Sequence, residues 1–401
     1  MITNSGQLTY CTNIHHGENW QDHFNEIKKY FPGIKKKLSP DNAMGIGLRL
    51  SNVASIELID NKNLEVFRQW LHENNAYVFT MNGFPYGSFH DTRVKDQVHA
   101  PDWTTKERVA YTIRLFQILK DLLPAGTEGG ISTSPLSYKH WFKQEDALKN
   151  AMKLSTDNIV SVVKSLIDIH QSTGKILHLD IEPEPDGMLE TGKEFIHWFL
   201  TELLPGGAKT IATKFNVTIP RAEELLKEHV RLCYDVCHFA IGYEPHAAII
   251  REILHSGIKI GKIQISAALK GAKNKDILLR QNIKESFSKY NEPTYLHQVV
   301  AKKNNDELLR YPDLPEALAD YDNPEVIEWR AHFHVPIFEE NFGSLQSTQK
   351  DIEEVLRLQK EINFTNHLEV ETYTWEVLPG VLKLPIQESV IRELQWVIPH
   401  L

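Results

Sequence analysis

In residues 234–244, Y-D-V-C-H-F-A-I-G-Y-E, Asp235 and His238 stand three residues apart, where an apolar run gives way to a turn at Gly242. A carboxylate and an imidazole at a strand terminus can converge on one divalent metal or one substrate hydroxyl. Taken alone, D-x-x-H is more simply a strand with a histidine at its edge. Other polar clusters bear on the choice. Residues 178–185, H-L-D-I-E-P-E-P, put Asp180, Glu182 and Glu184 on one face of an extended segment by their period of two. Gln264 sits in K-I-Q-I-S, H-F-H offers His332 and His334 on one face, and H-L-E-V-E-T-Y offers Glu369 and Glu371.

Each of these has a plainer reading. Glu184 follows a proline near a loop and reads as solvated. Glu369 reads as the partner of a lysine or arginine lower in the fold, Gln264 as a group satisfying buried amides, and the two histidines as core residues. The acids taken together argue otherwise. Several carboxylates turned inward without partners would be very costly, and a metal ion neutralises them economically. Carboxylate oxygens mixed with imidazole nitrogens suit Mn²⁺, Zn²⁺, Fe²⁺ or Co²⁺ better than Ca²⁺.

The elements that must position these groups recur as a short apolar run, a polar loop and a helical pattern. Strands are expected near residues 8–13, 44–51, 76–81, 129–134, 175–181, 232–237, 261–267 and 367–373, with amphipathic helices between them. Thr104 or Thr105 can cap one of the strongest of these helices. Residues 269–328 break the rhythm, with a helix near 275–290 and a β-hairpin whose strands flank K-K-N-N-D. Eight strands alternating with helices predict a parallel (β/α)₈ barrel with this hairpin-bearing insertion after strand seven, and residues 1–401 as a single domain. No glycine-rich loop follows the first strand, which disfavours a Rossmann sheet. In such a barrel the site lies at the C-terminal ends of the strands, where the acids fall.

Composition narrows the function classes. The chain has 401 residues, 41% hydrophobic and 24% charged, with a net charge of −9. That balance disfavours nucleic acid as a partner. Three cysteines, Cys11, Cys233 and Cys237, form neither a metal knuckle nor a disulfide framework, and a reducing cytoplasm is expected. No signal peptide and no stretch of membrane-spanning length is read in the sequence. Among the nineteen histidines, His15, His16, His90 and His99 fall on loops after strands one and three, placed to close over a substrate. Trp20, Phe84, Phe89 and Trp375 are candidates for an apolar pocket wall, or for the core.

An acid at strand five, D-x-x-H followed by G-Y-E at strand six, a later H-x-H and Glu371-Thr372 at strand eight resemble the xylose isomerase-like superfamily. Several blocks resemble more closely the EboE family of metabolite traffic proteins. They are residues 10–20 (Y-C-T-N-I-H-H-G-E-N-W), 82–90 (N-G-F-P-Y-G-S-F-H), 178–187 (H-L-D-I-E-P-E-P-D-G), 295–301 (Y-L-H-Q-V-V-A) and 310–315 (R-Y-P-D-L-P). The superfamily resemblance implies metal ligands Glu182, Asp235, His334 and Glu371, with Gln264 standing in a histidine's place. It leaves His238 to bind substrate or a second metal. The H-x-H departs from the pattern, lying far beyond strand seven before V-P-I, so His332 competes with His334 as ligand and is otherwise a substrate contact.

The expected function is metal-assisted isomerisation or epimerisation of a sugar- or polyol-like metabolite. The metal would polarise a carbonyl and stabilise an enediolate. Glu182 and Glu371 would exchange the proton beside it, while His238, His332, His15 and His90 contact substrate. The EboE resemblance implies small-molecule metabolites and proteins of the same gene cluster as partners. Two rivals remain: a non-catalytic metabolite carrier, and an endonuclease IV-like phosphodiesterase, which would call for more histidines and a basic groove.

Overall fold

Eight of the apolar runs form parallel strands: β1 (Gly6–Tyr10), β2 (Met44–Arg49), β3 (Ala76–Asn82), β4 (Gly129–Thr133), β5 (Leu177–Ile181), β6 (Val230–Asp235), β7 (Ile260–Ile265) and β8 (His367–Val370). Each pairs in parallel with the next from β2 to β8, and β8 pairs with β1. The last seam, between β1 and β2, is closed by a parallel bridge from Cys11 to Gly47. There the Thr9 hydroxyl donates to the Gly45 carbonyl at 2.8 Å and accepts from the Gly47 N–H at 3.1 Å. The chain is therefore a (β/α)₈ barrel, as expected. This computed structural model describes residues 1–89, 93–273, 276–376, 378 and 385–401.

Helices cover the outside, their starts set by local chemistry. Thr105, rather than Thr104, accepts from the Arg108 N–H to open the helix Lys106–Leu122. Thr191 and Glu194 form a reciprocal capping box on the helix Gly192–Trp198. Trp20 and Trp375 are both buried, Trp20 against Phe24 and Phe67 and Trp375 near Phe338. Among the described residues, no helix is long and apolar enough to cross a membrane.

The barrel interior is polar, and glycines make room for it. A Cβ at Gly47 would meet a Glu369 oxygen at 1.9 Å, and one at Gly261 would meet Asp180 at 1.9 Å. In the same interior the fully buried Lys262 donates to Glu369 and, at 3.1 Å, to the Ser132 hydroxyl. Glu369 thus pairs with a lysine lower in the barrel, as its plainer reading held. Burial is the largest single influence on Lys262 and would drive its proton off, but the Glu369 charge, the neighbouring Cys233 and Cys11 and the hydrogen bond to Glu369 together hold the ammonium above its ordinary range.

Two boundaries differ from expectation. β6 stops at Asp235, because its carboxylate accepts the His238 N–H at 3.2 Å and caps a short helix, Val236–Ile241. His238 and Cys237 therefore lie on a helix rather than a strand. The excursion after β7 is also wider than 269–328. Strands Ala267–Ala272, Val299–Lys303, Leu308–Tyr311, Val326–Val335, Asn341–Phe342 and Leu345–Ser347 build a separate antiparallel sheet. The expected hairpin is there, with Val299 opposite Tyr311 and Lys302 opposite Leu308. The H-F-H segment belongs to this sheet. The pairing of its strand with Ala267–Ala272 breaks between Ala331 and Val335, and such irregularities re-aim side chains.

Candidate metal centre

Four strand ends supply the floor. Glu182 follows β5, Asp235 ends β6, Gln264 lies in β7 and Glu371 follows β8. The Gln264 Nε2 lies 3.1 Å from Glu182 Oε1, 3.1 Å from Asp235 Oδ2, and in contact with Glu371 Oε2. Its amide has two protons for three carboxyl groups. One ligand oxygen from each of the three acids lies within 4.8 Å of the others. Asn13 and Asn82 both donate to Glu371 Oε1, at 2.8 and 2.7 Å, and the Ser266 hydroxyl donates to Asp235 Oδ1 at 2.7 Å.

The acids divide electrostatically. Burial, then repulsion from Glu371 and Asp235, pushes the Glu182 carboxyl well above its ordinary range. Burial and the Asp235 charge do the same to Glu371. Burial would raise Asp235 as well, yet it is held low by His238 and His334 and by its hydrogen bonds from Ser266 and the His238 N–H. The imidazoles are themselves pushed down by burial, His334 to about 4, so the hydrogen bonds are the firmer support for the Asp235 anion. Glu182 Oε2 has no hydrogen-bond partner among the described residues.

The histidines stand above this floor. His334 donates through Nδ1 to the Glu371 carbonyl at 3.0 Å, leaving Nε2 buried, unpartnered and 4.0 Å from Asp235 Oδ2. His238 Nδ1 faces the Pro183 carbonyl at 3.0 Å, so its proton is on Nδ1. Gln298 donates through Nε2 to the Pro185 carbonyl at 2.9 Å, which turns its Oε1 to His332 Nδ1 at 2.8 Å. His332 therefore also carries its proton on Nδ1. Burial keeps both rings neutral, lowering His238 and lowering His332 well below its ordinary value. Two Nε2 lone pairs thus face each other at 3.1 Å. That arrangement repels unless a cation binds both. Glu184 completes the group, with one ligand atom each from Glu184, His238 and His332 within 4.8 Å.

A cavity of about 60 Å³ opens above these residues. Glu182, Glu184, His238, His332, His334 and Glu371 are in its wall, together with Phe84, Phe89, Val94 and Tyr373. The excursion contributes Tyr295 and Leu296, with Tyr295 5.2 Å from Phe89 and 5.1 Å from Tyr373 between ring centres. The segment leading into the hairpin is thus part of the cavity wall.

The expected residues are only partly brought together. Glu182, Asp235, Gln264, His334 and Glu371 converge, with His238 and His332 beside them. His15 does not line the cavity; its ring stacks on Tyr30 at 5.1 Å and its Nε2 meets the Tyr10 hydroxyl at 3.0 Å. His16 is outside the lining too, and His90 lies outside the described residues. His99 is fully buried, its Nε2 3.8 Å from Glu184. Trp20 and Trp375 do not line the cavity, whereas Phe84 and Phe89 do. Glu184 corrects the solvated reading: it is buried, because its loop folds back under the excursion, and it faces His332 at 3.9 Å. Sequence reasoning missed Asn13, Asn82 and Gln298. Asn13 lies in a short 3-10 turn three residues past β1 and Asn82 ends β3, positions at the strand ends that could have flagged them; Gln298 carried no such signal.

No protein-family model matches the chain, and no curated protein does. Solved structures do follow a similar path. The IolI protein with a bound zinc atom is 14% identical, over 98% of this chain and 97% of that one, with a TM-score of 0.47. A D-tagatose 3-epimerase-like protein is 11% identical over 98% and 96%, with a TM-score of 0.48. A xylose isomerase-like TIM barrel protein from Mycobacterium smegmatis in complex with magnesium is 10% identical over 92% and 86%, with a TM-score of 0.45. These likenesses concern the fold alone, so the chemistry of this chain rests on its own side chains.

Proposed function

We propose that the chain is a divalent-metal-dependent isomerase or epimerase acting on a small sugar- or polyol-like metabolite. One observation carries the reading: Glu182, Asp235 and Glu371 converge within 4.8 Å at the cavity floor, beside an unpartnered His334 nitrogen. This donor set fits a cation. Three buried carboxyls share two amide protons, and a buried imidazole lone pair faces them unfilled. Glu182, Asp235, His334 and Glu371 would hold the ion; Gln264, expected as a ligand, instead turns its amide N–H groups to the acids and its Oε1 to the Cys233 thiol at 3.1 Å, and so orients the ligands rather than joining them. Mixed oxygen and nitrogen ligands favour Mn²⁺, Zn²⁺, Fe²⁺ or Co²⁺. A bound ion of this kind supplies Lewis-acid polarisation of a substrate carbonyl.

The chain's own groups then manage the proton. Glu182 and Glu371 come from separated strands and approach the cavity from different sides. Burial and repulsion from neighbouring carboxylates raise both carboxyls above the ordinary range, which favours the protonated form that a proton-exchanging acid needs. Asn13 and Asn82 hold Glu371 by one oxygen and so aim the other at the floor. Phe84, Phe89, Tyr295 and Tyr373 exclude water from the space above. We further propose an EboE-type role, processing or handing on a secondary-metabolite precursor in the cytoplasm with proteins of the same gene cluster. A metal-loaded sample incubated with candidate sugars in D₂O tests the catalytic reading: deuterium should enter at the carbon beside the carbonyl, followed by NMR. Binding without exchange would make the chain a carrier; neither binding nor exchange would end the sugar reading.

A second reading is favoured by the facing lone pairs of His238 and His332. With Glu184 they could hold a second cation, and a two-metal site suits phosphodiester hydrolysis. Turnover of bis-(p-nitrophenyl) phosphate, lost in His332→Ala, would select it.

A further inference from the structure

The opposite end of the barrel carries a cluster that the proposed chemistry does not use. His178 is the second residue of β5, His367 the first of β8, and Glu128 immediately precedes β4, so all three meet at the N-terminal mouth. One ligand atom from each lies within 4.8 Å of the others. The imidazole centres are 5.1 Å apart, and both rings are fully buried. This face of a barrel ordinarily serves stability, and a buried histidine there should have its nitrogens satisfied. These do not. His178 Nε2 and both nitrogens of His367 have no hydrogen-bond partner among the described residues.

We propose that Glu128, His178 and His367 form a divalent-metal site at the N-terminal mouth, separate from the cavity at the C-terminal mouth. Three further observations support it. First, His178 Nδ1 lies 2.6 Å from Asp180 Oδ1, so the ring is oriented by a carboxylate with Nε2 left over. A carboxylate behind a histidine is the usual outer partner of a metal-bound imidazole. Second, the two rings lie 5.1 Å apart at an interplanar angle of 35°, with a nitrogen of each within 4.8 Å of the other and of a Glu128 oxygen, so one ion can reach all three. Third, Glu128 lies in the walls of two surface clefts on this face, which gives an ion a way in and solvent to complete its coordination.

Arg231 is the obvious objection, since its guanidinium is 3.0 Å from Glu128 Oε2. It is also 3.1 Å from Glu228 Oε1, so two glutamates share one cation and the other Glu128 oxygen stays free of it. The pairing pins Glu128 rather than consuming it. Two nitrogen donors and one carboxylate select Zn²⁺, Co²⁺ or Fe²⁺ over Mg²⁺ or Ca²⁺. The ion would tie β5, β8 and the entry to β4 together.

The test separates the two ends of the barrel. A Glu371→Gln/His238→Ala protein, disabled at the C-terminal mouth, is stripped with a chelator and titrated with Co²⁺. It should bind one equivalent, with a visible d–d spectrum of nitrogen ligation and a raised melting temperature. His367→Phe in that background should abolish the spectrum. Glu128→Gln, a change at a partly exposed side chain that leaves the core intact, should weaken Co²⁺ binding about tenfold or more. No Co²⁺ uptake by the background protein, or uptake unchanged by Glu128→Gln, would overturn the site, whatever His367→Phe does to folding.

Discussion

Gln298→Leu tests the tautomer argument directly. Gln298 spends its amide N–H on the Pro185 carbonyl at 2.9 Å, and its Oε1 keeps the His332 proton on Nδ1 at 2.8 Å. Leucine is of similar size but accepts nothing. The His332 proton is then better placed on Nε2, where the His238 Nε2 lone pair lies 3.1 Å away and accepts it. In the metal-free protein one histidine hydrogen bond replaces another, so the stability cost is that of the lost Pro185 bond, about 1–2 kcal/mol. Metal binding pays more heavily, because the ion must now break the histidine pair and move its proton. Losses of an outer partner of this sort run roughly 10–100-fold, or about 1.4–2.7 kcal/mol. Competition of Zn²⁺ against a chelating dye measures the affinity, and long-range ¹H–¹⁵N correlation spectra of the metal-free protein read the tautomers. The expected pattern is an Nε2–H on His332 together with weakened binding of one equivalent. Affinity within twofold of the parent, or a His332 tautomer that does not change, would refute the reasoning.

Two further outcomes follow from buried charge. Glu369→Gln leaves the Lys262 ammonium buried without its anion, and breaking a buried pair in this way costs about 3–5 kcal/mol, read as a shift of the urea midpoint. The double change Glu369→Gln/Lys262→Met should recover most of that loss, and a double variant no more stable than the single would show that the pair is not what Glu369 contributes. Because Glu182 and Glu371 are pushed up, protons compete with metal at the floor. Their protonated forms persist above the ordinary carboxylate range, so metal affinity should rise with pH through that window and level off above it. Calorimetry in buffers of different ionisation enthalpy should detect proton release on binding, and an affinity flat from acid to neutral pH would contradict the raised carboxyls.

The barrel was legible because a parallel strand buried on both faces must be a short apolar run, and eight such runs alternate with amphipathic helices. Its acids were legible for a related reason. A strand's period of two sends Asp180 and Glu182, or Glu369 and Glu371, to the same side, and inside a barrel that side has no water. What sequence could not give was depth. Asp180 and Glu369 look like Glu182 and Glu371 one step along the strand, yet they lie a layer lower, bonded to His178 and Lys262. The histidines were harder still. His332 and His334 belong to a strand of the separate sheet, and only a broken register aims them at the barrel. His15 stood in a polar loop beside His16 and Glu18, but Tyr30 on the next helix stacks on its ring.

That difference in depth also bears on how the buried acids are balanced. A barrel interior filled with branched apolar side chains needs no counter-charge, whereas here the layers carry Asp180, Glu182, Asp235, Glu369 and Glu371. In the middle layer the chain supplies its own cation, Lys262, paired with a Glu369 carboxylate that fills the space left by Gly47. At the C-terminal mouth, among the described residues, the only donors between Glu182, Asp235 and Glu371 that bridge all three belong to the neutral Gln264 amide. A neutral amide can orient three carboxylates but cannot balance them. Either two of them hold protons, which their raised carboxyls allow, or an ion enters and takes the protons' place.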